Sequence, residues 1–104
     1  MNGFELKRDG KKIDVVFEGD LTASVVPELR PALQKALEEG VLEVDFDFSN
    51  TTVIDSTGIG VLIAAYNSFM AKSGAAVRVV RVSDDIFRLL QSMRLEKRLC
   101  VTKR

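Results

Sequence analysis

The segment from Asp55 to Gly60, with the sequence Asp-Ser-Thr-Gly-Ile-Gly, holds the residues best suited to chemistry. Extended apolar residues precede it and apolar residues at three- and four-residue steps follow it. It should therefore lie where a strand ends and a helix begins. The N-terminus of a helix offers free backbone N–H groups and a partial positive charge, both of which suit a phosphate. A hydroxyl in the first helical turn, at the edge of a sheet, is also open to a kinase, so we expect the phosphate to be covalent.

Phosphorylation of this hydroxyl would change the charge of the surface that a partner binds more than it would change the fold. It adds about −1.5 to −2 charges beside Asp55. The helix end offsets that repulsion by about 0.3–1 kcal/mol, so the fold should survive, whereas a partner shaped around a neutral hydroxyl would be repelled. The same residues also fit a purely structural interpretation, in which Asp55 or Ser56 caps the helix and Gly58 and Gly60 allow close packing.

Most catalytic classes are excluded or disfavoured by composition and spacing. The 104 residues include no histidine, which removes Ser-His and Cys-His nucleophile pairs and His-containing zinc sites. Aspartic proteases carry Asp-Thr-Gly or Asp-Ser-Gly, but here an extra residue separates Asp55 from Gly58 and the surrounding pattern is α/β. A weak nucleotide hydrolase is disfavoured because the sequence has no Gly-x-x-x-x-Gly-Lys-Ser/Thr loop and no evident metal cluster. We therefore expect no enzyme, cofactor or metal site.

Charge and length predict a small cytoplasmic domain. The 15 basic and 15 acidic residues cancel, so no net positive field draws the chain to nucleic acid. The first five residues lack the basic start and apolar core of a signal peptide, and the longest apolar stretch, from Ile59 to Ala65, is too short to cross a bilayer. We predict one monomeric domain over residues 1–104 that is not inserted in a membrane. The only cysteine, Cys100, is predicted to be a buried apolar thiol.

The elements that must position the 55–60 segment follow from the spacing of apolar residues. Two extended runs flank Asp9-Gly10 and predict a β-hairpin. A helical stripe begins near Pro27 and should stop at Gly40. Residues 42–48 alternate between apolar and acidic, which predicts a strand with one buried face and one face in water. The apolar positions are Val26, Leu29, Leu33, Ala36 and Leu37 in the helix and Leu42, Val44, Phe46 and Phe48 in the strand.

A second helix, another strand and a third helix complete the predicted order. The second helix begins within residues 55–60, has its apolar repeat after Gly58 and ends at Gly74, and the strand covers 77–82. Ser83 should cap the third helix, which carries two aspartates in its first turn. Residues 99–101 can form a short final strand. The recurring apolar positions are Ile59, Leu62, Ile63, Tyr66, Phe69 and Met70 in the second helix and the inward-facing Ile86, Leu89, Leu90 and Met93 in the third.

The order ββ-α-β-α-β-α predicts an α/β fold with a small mixed sheet. Strands that are connected through helices run parallel and cross over right-handedly. The sheet should therefore start with an antiparallel hairpin and continue with parallel strands. The alternation at 42–48 indicates that helices cover mainly one face. The other face, with Asp45 and Asp47, is either exposed to solvent or an interface.

This order of elements and two local motifs resemble the STAS domain family, and within it the single-domain anti-sigma factor antagonists. The segment 54–60, Ile-Asp-Ser-Thr-Gly-Ile-Gly, is similar to the phosphorylation loop of that family nearly residue for residue. The segment 19–22, Gly-Asp-Leu-Thr, is similar to its first conserved loop and is the less specific of the two. The resemblance extends from Phe4 to Val101.

The resemblance implies a bacterial phosphoprotein of transcription regulation and signal transduction that works by partner switching. In that family the unphosphorylated antagonist binds an anti-sigma factor, which is also a GHKL-type ATPase and serine kinase, and so releases the sigma factor. The kinase then phosphorylates the serine after the motif aspartate, here Ser56, and a metal-dependent serine phosphatase resets it. ATP and magnesium belong to the kinase, so the antagonist is a substrate and not an enzyme.

The resemblance also assigns the surface around Ser56. Asp55 would shape the loop, Thr57 would lie beside the acceptor, and Gly58 would let the backbone of the partner come close. Several relatives have an acidic residue where Thr22 stands, so a nucleotide or kinase contact at that position is not assigned to this chain. The implied partner-binding residues are Asp20, Leu21, Thr22, Asp55, Thr57 and Gly58.

Two alternatives stay open. The segment 20–22 can be an ordinary loop in which Thr22 or Ser24 caps the first helix. The chain can also be a non-catalytic STAS subunit of another assembly, such as a lipid-transport ABC complex or a signalling scaffold, in which phosphorylation is incidental. A purely structural subunit does not need an exposed hydroxyl at Ser56, which favours the antagonist.

Overall fold

In a computed structural model, which describes residues 3–104, four strands form one mixed sheet and three helices accompany it. The strand order is β1-β2-β3-β4, with β1 antiparallel to β2 and the other neighbours parallel. The predicted α/β fold with a mixed sheet is confirmed. Residues 1 and 2 of the predicted domain 1–104 lie outside the described residues. The elements are β1 (Phe4–Asp9), β2 (Lys12–Phe17), α1 (Val26–Glu38), β3 (Glu43–Asp47), α2 (Ser56–Ser73), β4 (Ala76–Val80) and α3 (Asp84–Ser92).

The hairpin at the start of the sheet has a tight turn. Asp9 pairs with Lys12, so the turn has two residues, and the first of them, Gly10, has a φ angle of 61°. This left-handed conformation favours glycine because glycine has no Cβ atom. The resulting register places Phe4 opposite Phe17, and both side chains are buried in the core.

The helices α1 and α2 lie on the same face of the sheet. Each connects two neighbouring parallel strands, and right-handed crossovers in one direction across a sheet place their helices on one side. The two helices contact each other, and all five predicted apolar positions of α1 are buried. Beneath them the ring centroids of Phe17 and Phe48 lie 5.1 Å apart in an edge-to-face arrangement, which is favourable for aromatic pairs.

The opposite face of β3 carries an ion-pair network. Asp45, in the middle of the strand, is only 9% exposed. Its Oδ1 atom accepts a hydrogen bond from Arg78 Nε at 2.7 Å, and Lys12 Nζ lies 3.3 Å from its Oδ2 atom. Arg78 also donates a hydrogen bond to Glu43 at 2.9 Å. The prediction of a face in water is therefore wrong at Asp45, because long side chains of the neighbouring strands lie over the central one.

Four apolar side chains lie further out than the periodicity predicts, and one of them, Met70 near the end of α2, is exposed. Leu42 precedes β3 by one residue and falls outside its alternation. The short helix α3 is capped by Ser83 as predicted, but it fully buries only Ile86 and Leu90. Phe87 packs partly against the core, and Leu89 faces outward. The predicted inward orientation is wrong for Leu42, Leu89 and Met93, which are exposed.

The chain after α3 forms a turn and then runs beside β4. Within this turn Leu99 points inward, whereas Cys100 has a φ angle of 45° and is exposed. The predictions of a buried thiol and of a strand over 99–101 are therefore wrong. A parallel bridge instead pairs Val82 with Lys103, so the segment after the turn covers part of the outer edge of the sheet.

Candidate functional site

Two loops meet at the edge of the sheet to which the parallel strands point. The first loop (residues 18–25) follows β2 and the second loop (residues 48–55) follows β3, and the carboxyl ends of parallel strands share one edge of a sheet. Leu21 and Ile54 form a parallel bridge between the loops, and the amide of Asp55 donates to Leu21 O at 3.2 Å. Both segments that the sequence singled out are therefore in contact.

The carboxylate of Asp20 joins the first loop to the second. Its Oδ1 atom accepts hydrogen bonds from the amides of Thr52 and Val53, both at 3.0 Å, and from the Thr52 hydroxyl at 3.1 Å. These bonds, and the backbone bond from Thr52 most of all, lower the pKa of Asp20 because they stabilise its charged form. The buried hydroxyl of Thr51 adds a further link by donating to Gly19 O at 2.7 Å.

Asp55 caps α2 and also contacts the first loop. Its backbone is extended, and its Oδ1 atom accepts a hydrogen bond from the amide of Gly58 at 2.8 Å. Its Oδ2 atom accepts one from the amide of Ala23 at 2.9 Å. The bond from Gly58, followed by that from Ala23, lowers the pKa of Asp55. The interpretation of Asp55 as a helix cap is confirmed, and its second oxygen orders the first loop as well.

Ser56 and Thr57 are the first two residues of α2, and both are exposed. Among residues 3–104 the Ser56 hydroxyl has no hydrogen-bond partner. The first turn of a helix carries partial positive charge from its backbone N–H groups. A phosphoryl group on Ser56 would therefore lie at the surface beside the Asp55 carboxylate, and it would alter the charge of the site without displacing a core side chain.

Leu21 and Gly58 lie inside the site, since both residues are buried. A Cβ atom added to Gly58 would lie 2.6 Å from Leu21 O and 3.0 Å from Ile54 Cγ2. Only glycine therefore lets α2 approach the bridge between the two loops this closely. Any effect of Leu21 or Gly58 on a partner would act through the positions of the loops.

Thr22 is half-buried and lies within the first loop, three residues before its end. Its hydroxyl oxygen lies 2.9 Å from Ser24 Oγ, and no side chain caps α1, whose N-cap is Val25. The alternative in which Thr22 or Ser24 caps this helix is therefore wrong. The backbone closes the turn instead, since the amide of Val25 donates to Thr22 O at 2.9 Å.

An apolar groove of about 480 Å³ opens beside Ser56, between α2 and α3. An exposed apolar surface of this kind next to a polar loop is typical of a protein-docking site. The groove does not follow from the apolar spacing, which assigns Leu89 and Met93 to the core. The signal for it was the short length of α3, which cannot bury four apolar side chains. Its apolar lining consists of Ile54, Ile59, Ile63, Leu89 and Met93.

Metal ligation does not account for the acidic residues of the site. Residues 3–104 contain no group of three or more His, Cys, Asp or Glu side chains that could hold a metal ion. The carboxylates of Asp20 and Asp55 accept backbone N–H groups instead. In the same part of the chain, no helix has the length and apolar character needed to span a membrane.

The lowered pKa values of Asp20 and Asp55 predict that the protein loses stability in acid. A carboxylate whose pKa is lower in the folded than in the unfolded chain stabilises the fold fully above the unfolded-state pKa. That contribution shrinks as the pH falls below the unfolded-state value and is gone below the folded-state pKa. Asp20→Asn and Asp55→Asn should therefore be less stable than the wild type at neutral pH and should lose less stability on acidification.

Urea unfolding at neutral pH and at a pH of about 3 measures this difference. Glu18→Gln serves as the control, because Glu18 is an exposed acidic residue of the same first loop. Equal losses of stability in acid for the wild type and both aspartate variants would contradict the assignment.

Comparison with known proteins places this chain in one family. The family model described as "Mlab, STAS domain" matches residues 4–102. The anti-sigma-B factor antagonist of Listeria monocytogenes is 30% identical over 86 residues, which cover 82% of this chain and 74% of that protein.

Two solved structures share the fold. A putative anti-sigma factor antagonist from Thermotoga maritima matches with a TM-score of 0.87 at 18% identity, over 97% of this chain and 86% of that one. The Bacillus cell fate determinant SpoIIAA in its phosphorylated form matches with a TM-score of 0.76 at 18% identity, over 94% and 89% of the two chains. Because the family model matches residues 4–102 and the Listeria protein is 30% identical, the chain belongs to the STAS domain family. Its sequence relatives in that family include anti-sigma-B factor antagonists.

Proposed function

We propose that this protein is an anti-sigma factor antagonist that works by partner switching. The unphosphorylated form binds an anti-sigma factor that is also a serine kinase and so releases the sigma factor, and phosphorylation of Ser56 abolishes this binding. One observation carries the proposal: the Ser56 hydroxyl is exposed at the start of α2 and has no hydrogen bond to residues 3–104. The names of the sequence relatives agree with it.

The charges around Ser56 support a switch that acts on binding and not on folding. The carboxylates of Asp20 and Asp55 are held in their charged forms by backbone amides. Phosphorylation would add about −1.5 to −2 charges next to them. The hydrogen bonds that join the loops do not involve Ser56, so a phosphate on Ser56 would leave them intact. Its effect would be on partner binding, because like charges that meet at an interface cost several kcal/mol.

The docking surface that we propose combines a polar rim with an apolar centre. The exposed side chains of Asp20 and Thr57 and the partly exposed side chains of Thr22 and Asp55 belong to the two joined loops and the first turn of α2, which also carries Ser56. The groove between α2 and α3 opens on one side of this rim. Such an arrangement suits a partner that inserts an apolar side chain beside the hydroxyl and donates hydrogen bonds to the loops.

The remaining partners complete a cycle. A GHKL-type kinase, identical with the anti-sigma factor, binds ATP and magnesium and phosphorylates Ser56, and a metal-dependent serine phosphatase removes the phosphate. In this proposal the protein acts as a substrate and not as an enzyme. We also propose that residues 1–104 act as a monomeric domain in the cytoplasm that binds neither nucleic acid nor a membrane.

The description of the matching family model favours a second candidate function. In that case the chain is a non-catalytic STAS subunit of another assembly, such as a lipid-transport ABC complex or a signalling scaffold. The same two loops would then form a constitutive contact, and phosphorylation of Ser56 would be absent or without effect.

Mass spectrometry of the protein purified from its own cells distinguishes the two candidates. We expect a fraction of the intact protein to carry the mass of one phosphate, and peptide mapping to place it on Ser56. The adjacent exposed hydroxyl of Thr57 is the internal control for site assignment. Ser56→Ala should abolish the mass shift and Thr57→Ala should retain it.

The opposite result is equally informative. If no growth condition yields phosphate on Ser56, and cell extract with ATP adds none to the purified protein, the partner-switching proposal fails. The non-catalytic subunit then becomes the better explanation of the two loops.

A further inference from the structure

One peptide group of the second loop is held between a cation and an anion. The Thr51–Thr52 peptide accepts a hydrogen bond at its carbonyl oxygen from Arg104 Nη2 at 2.8 Å. The N–H of the same peptide donates to Asp20 Oδ1 at 3.0 Å. The two bonds polarise the peptide in the same sense, and hydrogen bonds of charged groups are about twice as strong as neutral ones.

The guanidinium of Arg104 contacts two further backbone carbonyls. Its Nη2 atom also donates to Phe48 O at 2.9 Å, and its Nε atom donates to Arg81 O at 3.2 Å. The planar donor fork of arginine thus spans the end of β3 and the residue after β4. Phe48 and Thr51 are the first and fourth residues of the second loop, so Arg104 holds the turn from which the loop starts.

The backbone of Arg104 is itself fixed on the sheet. The segment after the Cys100 turn runs along β4, where the amide of Thr102 donates to Val79 O at 3.0 Å and that of Arg104 donates to Val82 O at 3.0 Å. The side chain therefore extends from a segment that is hydrogen-bonded to the edge of the sheet across to the second loop. With the backbone fixed, only the rotamers of the side chain remain to be ordered, and the planar guanidinium lowers the entropy lost for each hydrogen bond.

The neighbouring cations make different contacts. Arg81 pairs with Asp47 at 2.8 Å, and Lys103 pairs with Asp84 at 3.5 Å. Among residues 3–104, Arg104 is the basic side chain whose hydrogen bonds reach the carbonyls of the second loop.

We infer that Arg104 is a positioning residue for the Ser56 site: together with Asp20 it fixes the Thr51–Thr52 peptide and, through it, the path of the second loop into α2. The loop geometry is a property of the chain alone, whereas its effect on Ser56 phosphorylation rests on the proposed function. The link to the site continues through the Thr51 hydroxyl, which donates to Gly19 O, and through the Val53 amide, which donates to Asp20.

Amide hydrogen exchange on the isolated protein tests the inference. In Arg104→Gln the amides of Thr52 and Val53 should exchange about tenfold faster or more, because the loop opens locally. The Val15 amide in the central strand β2 should be unchanged, which separates local opening from a general loss of stability. An NMR titration should also find the pKa of Asp20 nearer its ordinary value than in the wild type, since the backbone bonds that lower it are weakened.

Two further variants make the test specific. Lys103→Gln removes the same charge one residue earlier and should leave the exchange of both loop amides as in the wild type. Arg104→Lys retains the charge without the donor fork and should give an intermediate rate. Exchange rates in Arg104→Gln equal to those of Lys103→Gln would overturn the inference, as would an acceleration that includes Val15 to the same extent.

Phosphorylation supplies a functional readout. With cell extract and ATP, Arg104→Gln should be phosphorylated on Ser56 with a higher KM than the wild type or Lys103→Gln, because its loop is ordered only when the kinase binds. If the wild type accepts no phosphate, the proposed function fails, and the exchange measurements still decide the role of Arg104. If all variants are phosphorylated with one KM, Arg104 has no positioning role for the kinase.

Discussion

Gly58→Ala is expected to lower the free energy of unfolding by about 1–3 kcal/mol. The new Cβ atom would lie 2.6 Å from Leu21 O and 2.8 Å from Leu21 Cγ. The first of these contacts is with backbone, and that carbonyl already accepts the amide of Asp55 at 3.2 Å. Relief of the clash therefore requires α2 to move away from the bridge between the two loops. Urea denaturation followed by circular dichroism measures the loss.

Gly60→Ala is the matched control because it adds the same methyl group two residues later in the same helix. An added Cβ atom on Gly60 meets nothing within 4 Å. This variant should be more stable than the wild type by about 0.5–1 kcal/mol, since alanine is the better helix former. If Gly58→Ala were as stable as Gly60→Ala, the close approach of α2 to Leu21 would not limit the fold.

Ser56→Asp is expected to weaken binding to the anti-sigma factor of the same organism by about tenfold to a hundredfold. Aspartate supplies part of the charge of a phosphoryl group at the exposed first position of α2. The fold should be retained, because the Ser56 side chain has no hydrogen bond to residues 3–104 and acidic residues are favourable in the first turn of a helix. Isothermal titration calorimetry with the purified anti-sigma factor gives the affinity, and thermal unfolding checks the fold.

Two variants control for other causes of weakened binding. Ser56→Ala should bind like the unphosphorylated wild type and should stay bound when ATP is present. Ser68→Asp adds the same charge to an exposed position further along α2, beside the groove between α1 and α2. It should leave the affinity unchanged. Equal weakening by Ser68→Asp would assign the effect to net charge, and unchanged binding by both Ser56 variants would mean that the switch lies elsewhere.

The architecture could be predicted because burial on one side of each element leaves a regular spacing in the sequence. The five buried positions of α1 and the Asp-Gly turn of the hairpin are examples. The same reasoning fails where residues distant in sequence but close in space determine whether a side chain is buried. Asp45 is covered by Arg78 and Lys12 from the adjacent strands, and Leu89 lies on a helix too short to bury it. The local spacing of apolar residues predicts neither the burial of Asp45 nor the exposure of Leu89.

The site could be located from sequence, but its internal contacts could not. A helix start capped by Asp55 or Ser56 follows from local residue types, and the structure shows that the cap is Asp55. The contact between Asp20 and Thr52 joins positions 32 residues apart, and that between Thr51 and Arg104 joins positions 53 apart. Such pairs depend on the path of the sheet, which periodicity does not specify. Local residue types therefore assign Gly58 a direct contact with a partner, although it is buried. They also give no sign that Asp20, which is part of the proposed docking surface, ties the two loops together.

The exposed thiol of Cys100 makes the protein convenient for fluorescence measurements. It is the only cysteine in the chain, and it lies on a surface turn after α3. A maleimide dye would therefore attach at one position without any engineered residue, leaving Ser56 and both loops with their native sequence. The same exposure means that air oxidation would link two molecules through an intermolecular disulfide. Purification in a reducing buffer should accordingly abolish any covalent dimer seen on a non-reducing gel.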